Sequence, residues 1–168
     1  MRLTPIALSI ALALATMGSA GHGQKPQVQL NPQSVALVQQ GNMLAAAGKH
    51  DEALDHFETA LAVDPRNRSA YLGMARVAQA QKLPGKAIRL YADALELEPN
   101  DVNALAGQGE ALVQRGAVER ARQNLERVRE VCKDPCPQAM TLAAAIAKGP
   151  PIEVLTARTP EPAAATKN

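Results

Sequence analysis

The stretch ALDHFETALAVDP, residues 53–65, returns thirty-four residues later as AIRLYADALELEP, residues 87–99. Ala53, Phe57, Ala60 and Pro65 of the first copy stand where Ala87, Tyr91, Ala94 and Pro99 stand in the second. Ala121 and Leu125 continue the series. Upstream, Gly41, Ala75 and Gly109 keep the same step, as do Leu37, Tyr71 and Leu105. A fixed period of this length marks a repeat architecture.

Each copy holds two helical patterns. Leu37, Gly41 and Leu44 share one helix face, and Ala53, Leu54, Phe57, Ala60 and Leu61 form a second apolar stripe. Between them Gly48-Lys49-His50-Asp51 reads as a turn, with Gly48, like Gly116 in the third copy, suited to a helix C-terminus. The second copy has Lys82-Leu83-Pro84 there, and Pro84 suits the first turn of the next helix. Pro65 and Pro99 stop the second helices, and Asn67 and Asn100 or Asp101 are candidate caps for the helices that follow. The spacing predicts helices near 33–47, 50–63, 67–82, 85–98, 101–115, 118–132 and 137–148.

This pattern resembles the tetratricopeptide repeat. That motif has a large residue at position 4, small ones at 8, 20 and 27, a large or aromatic one at 24 and Pro at 32. The copies run over 34–67, 68–101 and 102–135. The third departs at Val128, where a small residue is usual, and at Lys133, where Pro is usual, which predicts looser packing there. The resemblance implies an all-α, right-handed solenoid of three helix hairpins. Residues 137–148 continue in phase and read as a capping helix over the last hairpin.

The N-terminus reads as an address. Arg2 is followed by an apolar run over Ile6–Ala15 and by Gly18-Ser19-Ala20, which predicts a signal peptide cut after Ala20. An uncleaved anchor is the alternative, though the run is short for a span. Residues 21–32 read as a flexible leader, 33–149 as the repeat domain, and 150–168, with Pro150, Pro151, Pro160 and Pro162, as a disordered tail. The leader style and compact repeats point to the periplasm of a Gram-negative bacterium, with secretion as the alternative.

Composition narrows the partners. With 18 Lys and Arg against 16 Asp and Glu, the chain has no broad field for nucleic acid or an anionic membrane. Phe57, Tyr71 and Tyr91 are the only aromatics, too few for both a core and a base-stacking platform. No phosphate-cradling Gly loop, His-Glu-x-x-His or Gly-x-Ser-x-Gly is present, so no enzyme, cofactor or metal is predicted. Asn67-Arg68-Ser69 matches a glycosylation acceptor but is better explained as a helix cap. In the third copy Arg115, Arg120, Arg122, Arg127, Arg129 and Lys133 interleave with Glu110, Glu119, Glu126, Glu130 and Asp134 as a salt-bridged solvent face. The first copy is by contrast acidic around Asp51, Glu52, Asp55 and Glu58, which makes a dipole along the array. That dipole can orient a partner or favour head-to-tail self-association.

In the tetratricopeptide family, partner contacts concentrate at positions 2, 5, 9, 12 and 13 of the inner helices. The resemblance carries these onto Val35, Val38, Asn42, Ala45 and Ala46, onto Ser69, Leu72, Arg76, Gln79 and Ala80, and onto Asn103, Ala106, Glu110, Val113 and Gln114. Asn42, Arg76 and Glu110 fall at one position of successive copies and are expected to form a line. That line either reads a partner segment or pairs Arg76 with Glu110. The family's clamp for a C-terminal carboxylate needs cations at positions matched here by Val38, Asn42, Gly73, Asn103 and Gly107, and only Asn42 fits.

Cys132 and Cys136 are read as a structural disulfide, given export to an oxidising compartment. Redox chemistry is a weaker alternative at this spacing, and metal binding lacks further ligands. The sequence therefore predicts a non-catalytic adaptor that binds another protein in its concave groove. The alternatives are a structural or holdase-like protein without a specific peptide site, and a thiol-redox protein.

Overall fold

The computed structural model of the protein describes residues 29–132, 135–152 and 154. The expected signal segment, most of the leader, Lys133 and nearly all of the tail lie outside them. Among the described residues the chain forms α1 (Pro32–Ala46), α2 (His50–Val63), α3 (Arg68–Ala80), α4 (Pro84–Leu97), α5 (Val102–Gln114), α6 (Val118–Val131) and α7 (Pro137–Lys148). The pairs α1–α2, α3–α4 and α5–α6 are hairpins. Each second helix also packs on the first helix of the next hairpin, and α7 lies over α5 and α6. The fold is an all-α solenoid, as the period implied. No helix among the described residues is long and apolar enough to cross a membrane.

Three core clusters sit where hairpins meet. Phe57 of α2 is fully buried. Its ring lies so close to Gly41 of its own hairpin that a Cβ there would come within 2.6 Å of Cε1. A Cβ on Gly73 of the next hairpin would overlap the same ring. Glycine is therefore required on both sides by close approach. Tyr91 of α4 is seated in the same way against Gly107 of α5. At the end of the array, Leu142 of α7 covers Gly109, which closes the last hairpin's core.

The helix ends follow the expected chemistry with informative exceptions. Gly48 and Gly116 adopt φ of 76° and 78° after α1 and α5. Lys82 holds the same left-handed conformation at φ 59°, which ends α3 at Ala80, two residues earlier than predicted. α1 starts inside the stretch assigned to the leader, because Asn31 accepts from the Gln33 N–H at 2.9 Å and Pro32 fills the first turn. Asp101 caps α5 through the Ala104 N–H at 2.9 Å.

Asn67 does not cap α3 with its side chain. The amide instead donates to Ser34 Oγ at 2.8 Å, and Ser34 Oγ donates to the Ala60 carbonyl at 2.7 Å. Asn67 and Ser34 are buried, so this side chain is not available as a glycan acceptor. Val128, expected to loosen the third hairpin, is fully buried in the last cluster. The space meant for a small residue is filled rather than left open.

Cys132 and Cys136 bracket the step from α6 to α7 and stand at disulfide distance, with Cα atoms 5.8 Å apart. The link would hold the start of α7 against the end of α6.

Three outcomes test this packing. Gly73→Ala should destabilise the fold by about 1–3 kcal/mol, because the Phe57 ring has nowhere to move; an unchanged urea midpoint would contradict the seating. Asp64 is held down to about 2, against an ordinary 3.8, first by the Arg66 side chain and then by the Asn31 N–H. A depressed carboxyl contributes stability above its unfolded value and loses it as pH falls through the folded one. Thermal melts of Asp64→Asn should accordingly lack that acid-side loss between about 4 and 2. Native protein should show no titratable thiol, and replacing Cys132 and Cys136 with Ser should cost about 2 kcal/mol.

Candidate functional site

The first helices of the hairpins, α1, α3 and α5, line the concave side. Of the positions carried over from the family, Val35, Asn42, Ala46, Ser69, Arg76, Ala80 and Asn103 are exposed, and Ala45, Gln79, Glu110 and Gln114 are half-buried. Val38, Leu72 and Val113 are only 5%, 7% and 4% exposed, and Ala106 is 4% exposed. Val38, Leu72 and Val113 are packing residues rather than contact surface, while Ala106 also lines the cavity described below. The reason is stacking: Val38 and Leu72 cluster with residues of the following hairpin, which covers them.

The structure brings Asn42, Arg76 and Glu110 into the expected line, and decides how they pair. Arg76 Nη2 donates to Asn42 Oδ1 at 3.2 Å, one repeat back. Among the described residues Arg76 and Glu110 form no ion pair, and no hydrogen bond reaches the Glu110 carboxylate. The Glu110 carboxylate therefore keeps its accepting capacity, and burial holds its pKa above the usual range.

Arg76, Gln79, Asn103 and Glu110 border a cavity of about 360 Å³. Its far wall was not legible from the family positions. Pro137, Gln138 and Thr141 of α7 close it, and Gln138 Nε2 donates to Asn103 Oδ1 at 3.1 Å. The seventh helix is thus part of the groove as well as a cap. Tyr91 forms the floor and donates its hydroxyl to Gln79 Oε1 at 2.6 Å. Burial pushes the Tyr91 phenol up to about 12, with Arg76 opposing and Glu110 adding to the shift. The ring hydroxyl at position 24, absent from Phe57 and Leu125, was the one sequence signal for this polar floor.

The cavity offers acceptors on Glu110 and Gln138 Oε1 and donors on Arg76, Gln79 Nε2 and Asn103 Nδ2. Such a mixture suits the alternating donors and acceptors of a peptide backbone. No group of three His, Cys, Asp or Glu able to hold a metal is found among the described residues.

Two family models, both described as the tetratricopeptide repeat, match residues 33–97 and 78–146, which together span more than half of the chain. No curated protein shows significant sequence similarity to it. Among solved structures, the first TPR of Spaghetti (RPAP3), bound to the HSP90 peptide SRMEEVD, is 23% identical. That match has a TM-score of 0.64 and covers 73% of this chain and 97% of that one. The second TPR domain of human RPAP3, in complex with the HSP70 peptide SGPTIEEVD, is 23% identical at a TM-score of 0.63, over 68% and 95%. The Sgt2 TPR domain from Aspergillus fumigatus is 22% identical at 0.63, over 83% and 91%. At these identities the likeness concerns the fold. The matched models, the period and the ring-on-glycine packing agree, and the chain belongs to the tetratricopeptide-repeat family.

Proposed function

We propose that this chain is a non-catalytic adaptor that holds a segment of a partner protein in its concave groove. The observation that carries the reading is the cavity between α3, α5 and α7, where the Glu110 carboxylate has no hydrogen-bond or ion-pair partner among the described residues and Gln79 Nε2, Asn103 Nδ2 and Gln138 Oε1 keep hydrogen-bonding capacity. Domains of this family are protein-interaction modules, and two solved relatives are bound to peptides.

The ligand differs from theirs. Both of those peptides end in Glu-Glu-Val-Asp. Here Val38, Gly73 and Gly107 supply no cation, Val38 is buried, and Gly107 lies against the Tyr91 ring. A carboxylate terminus would meet Glu110 instead of a Lys. An internal segment, gripped through its backbone, fits the donors and acceptors present. The N-terminal pattern from Arg2 to Ala20 supports export, with the partner in the cell envelope of a Gram-negative bacterium.

A photoreactive residue in place of Arg76 or Asn103, with Arg89 on α4 as control, tests this in the native compartment. One protein should be captured from both groove positions and not from Arg89. With that protein purified, Asn103→Ala combined with Arg76→Ala should weaken binding about tenfold, or about 1.4 kcal/mol. Equal capture of many proteins at all three positions would favour a holdase, and an unaltered affinity in the double variant would exclude this groove.

A further inference from the structure

The first two junctions between repeats pair the same two positions. The fifth residue of one copy is buried with the tenth residue of the next: Val38 clusters with Val77, and Leu72 with Ala111. Val38, Leu72 and Ala106 are 5%, 7% and 4% exposed, and Val77 and Ala111 are 1% and 0% exposed. The rule breaks at both ends of the array. The tenth residue of the first copy is Met43, 65% exposed, with no helix packed beneath it among the described residues. The fifth residue of the fourth, partial copy is Met140, 70% exposed, with no helix packed above it among the described residues.

Each of these methionines sits in an open hollow. Met43 lies with Leu44 of α1, with Ala47 just after that helix and with Glu52 of α2 in a hollow of about 460 Å³. Met140 lies with Ala139 and Ala143 of α7 and with Arg129 of α6 in one of about 740 Å³. The two faces are the two halves of an inter-repeat junction, presented at opposite ends of one molecule. Methionine suits such a contact, because its unbranched thioether adapts to an imperfect seat.

We propose that these end faces dock on each other between copies of this chain, head to tail, with Met140 of one copy against Met43 of the next. The second copy is favoured over other occupants because it continues the packing already made inside the chain. The charges agree. α2 carries Asp51, Glu52, Asp55 and Glu58 and no Lys or Arg, while α6 carries four Arg against three Glu. Glu52 and Arg129 border the two hollows, and among the described residues the side chain of each is held by one exposed i,i+3 pair, Lys49–Glu52 and Glu126–Arg129, both at 3.0 Å. Exposed pairs of this kind contribute little to stability and exchange readily. The contact is heterologous, so it adds copies in an open row and does not close as a two-fold dimer would.

Sedimentation of the full chain, as isolated from the cells that make it, tests the proposal with Met43→Glu and Met140→Glu. Both side chains are exposed, so both variants should keep the helix content of the parent. The parent should grow with concentration beyond a dimer. Each variant alone should lose association about tenfold or more. An equimolar mixture of the two should form a dimer that grows no further, since one supplies an intact Met140 face and the other an intact Met43 face. A parent that stays monomeric at every concentration overturns the proposal, as it would if the chain's own tail or another protein covered these faces. So does a variant that still self-associates alone, or a mixture that fails to pair.

Discussion

The structure depends on a ring wedged between two glycines. Phe57 leaves the second helix of the first hairpin and rests on Gly41 behind it and Gly73 ahead of it. The contact closes a hairpin and joins it to the next in one step. A hairpin of this size cannot bury its apolar face alone, so the junction is where the stability of a repeat array resides. Tyr91 repeats the arrangement on Gly107, and Leu142 ends it on Gly109 with an aliphatic side chain. The absence of side chains at Gly73 and Gly107 also brings the inner helices close to the rings behind them, which sets the depth of the concave wall.

The groove is a by-product of that stacking. Because each inner helix is pressed against the next, the residue facing along the array is buried and the residue facing across it is left open. Arg76 reaches back along the row to Asn42, while Glu110, one repeat further on, borders the same cavity and makes no ion pair with Arg76 among the described residues. The helix that seals the last core also turns Gln138 onto Asn103 and so bounds the cavity. A change that shifts α7 would therefore alter the groove and the core together. The Cys132–Cys136 pair stands at the point where that shift would begin.

Much of the fold was legible because its determinants are local and repeated. The thirty-four-residue step of Ala53, Ala87 and Ala121 and the breaks at Pro65 and Pro99 placed the helices to within two residues of their observed ends. The site was legible only in part. The line of Asn42, Arg76 and Glu110 followed from register, but the choice of partner along it did not, since Arg76 had Glu110 and Asn42 at equal distance in sequence. Asn67 shows the same limit: a residue well suited to cap α3 turns its amide to Ser34, a choice that exists only once α1 and α2 have brought that hydroxyl beside it.

The sequence by itself determined the period, the two helices per copy, the small residues at the close contacts and the in-phase seventh helix. These rest on backbone propensity and on the spacing of apolar side chains, which act within a few turns of chain. Only the tertiary structure decided that Val38, Leu72 and Val113 belong to the packing rather than the groove, that α7 is a wall of the cavity, and that Met43 and Met140 are left uncovered at the two ends. Burial of a side chain depends on what the neighbouring repeat places over it. That placement comes from the accumulated rotation of one hairpin on the next, a quantity that no single window of sequence contains.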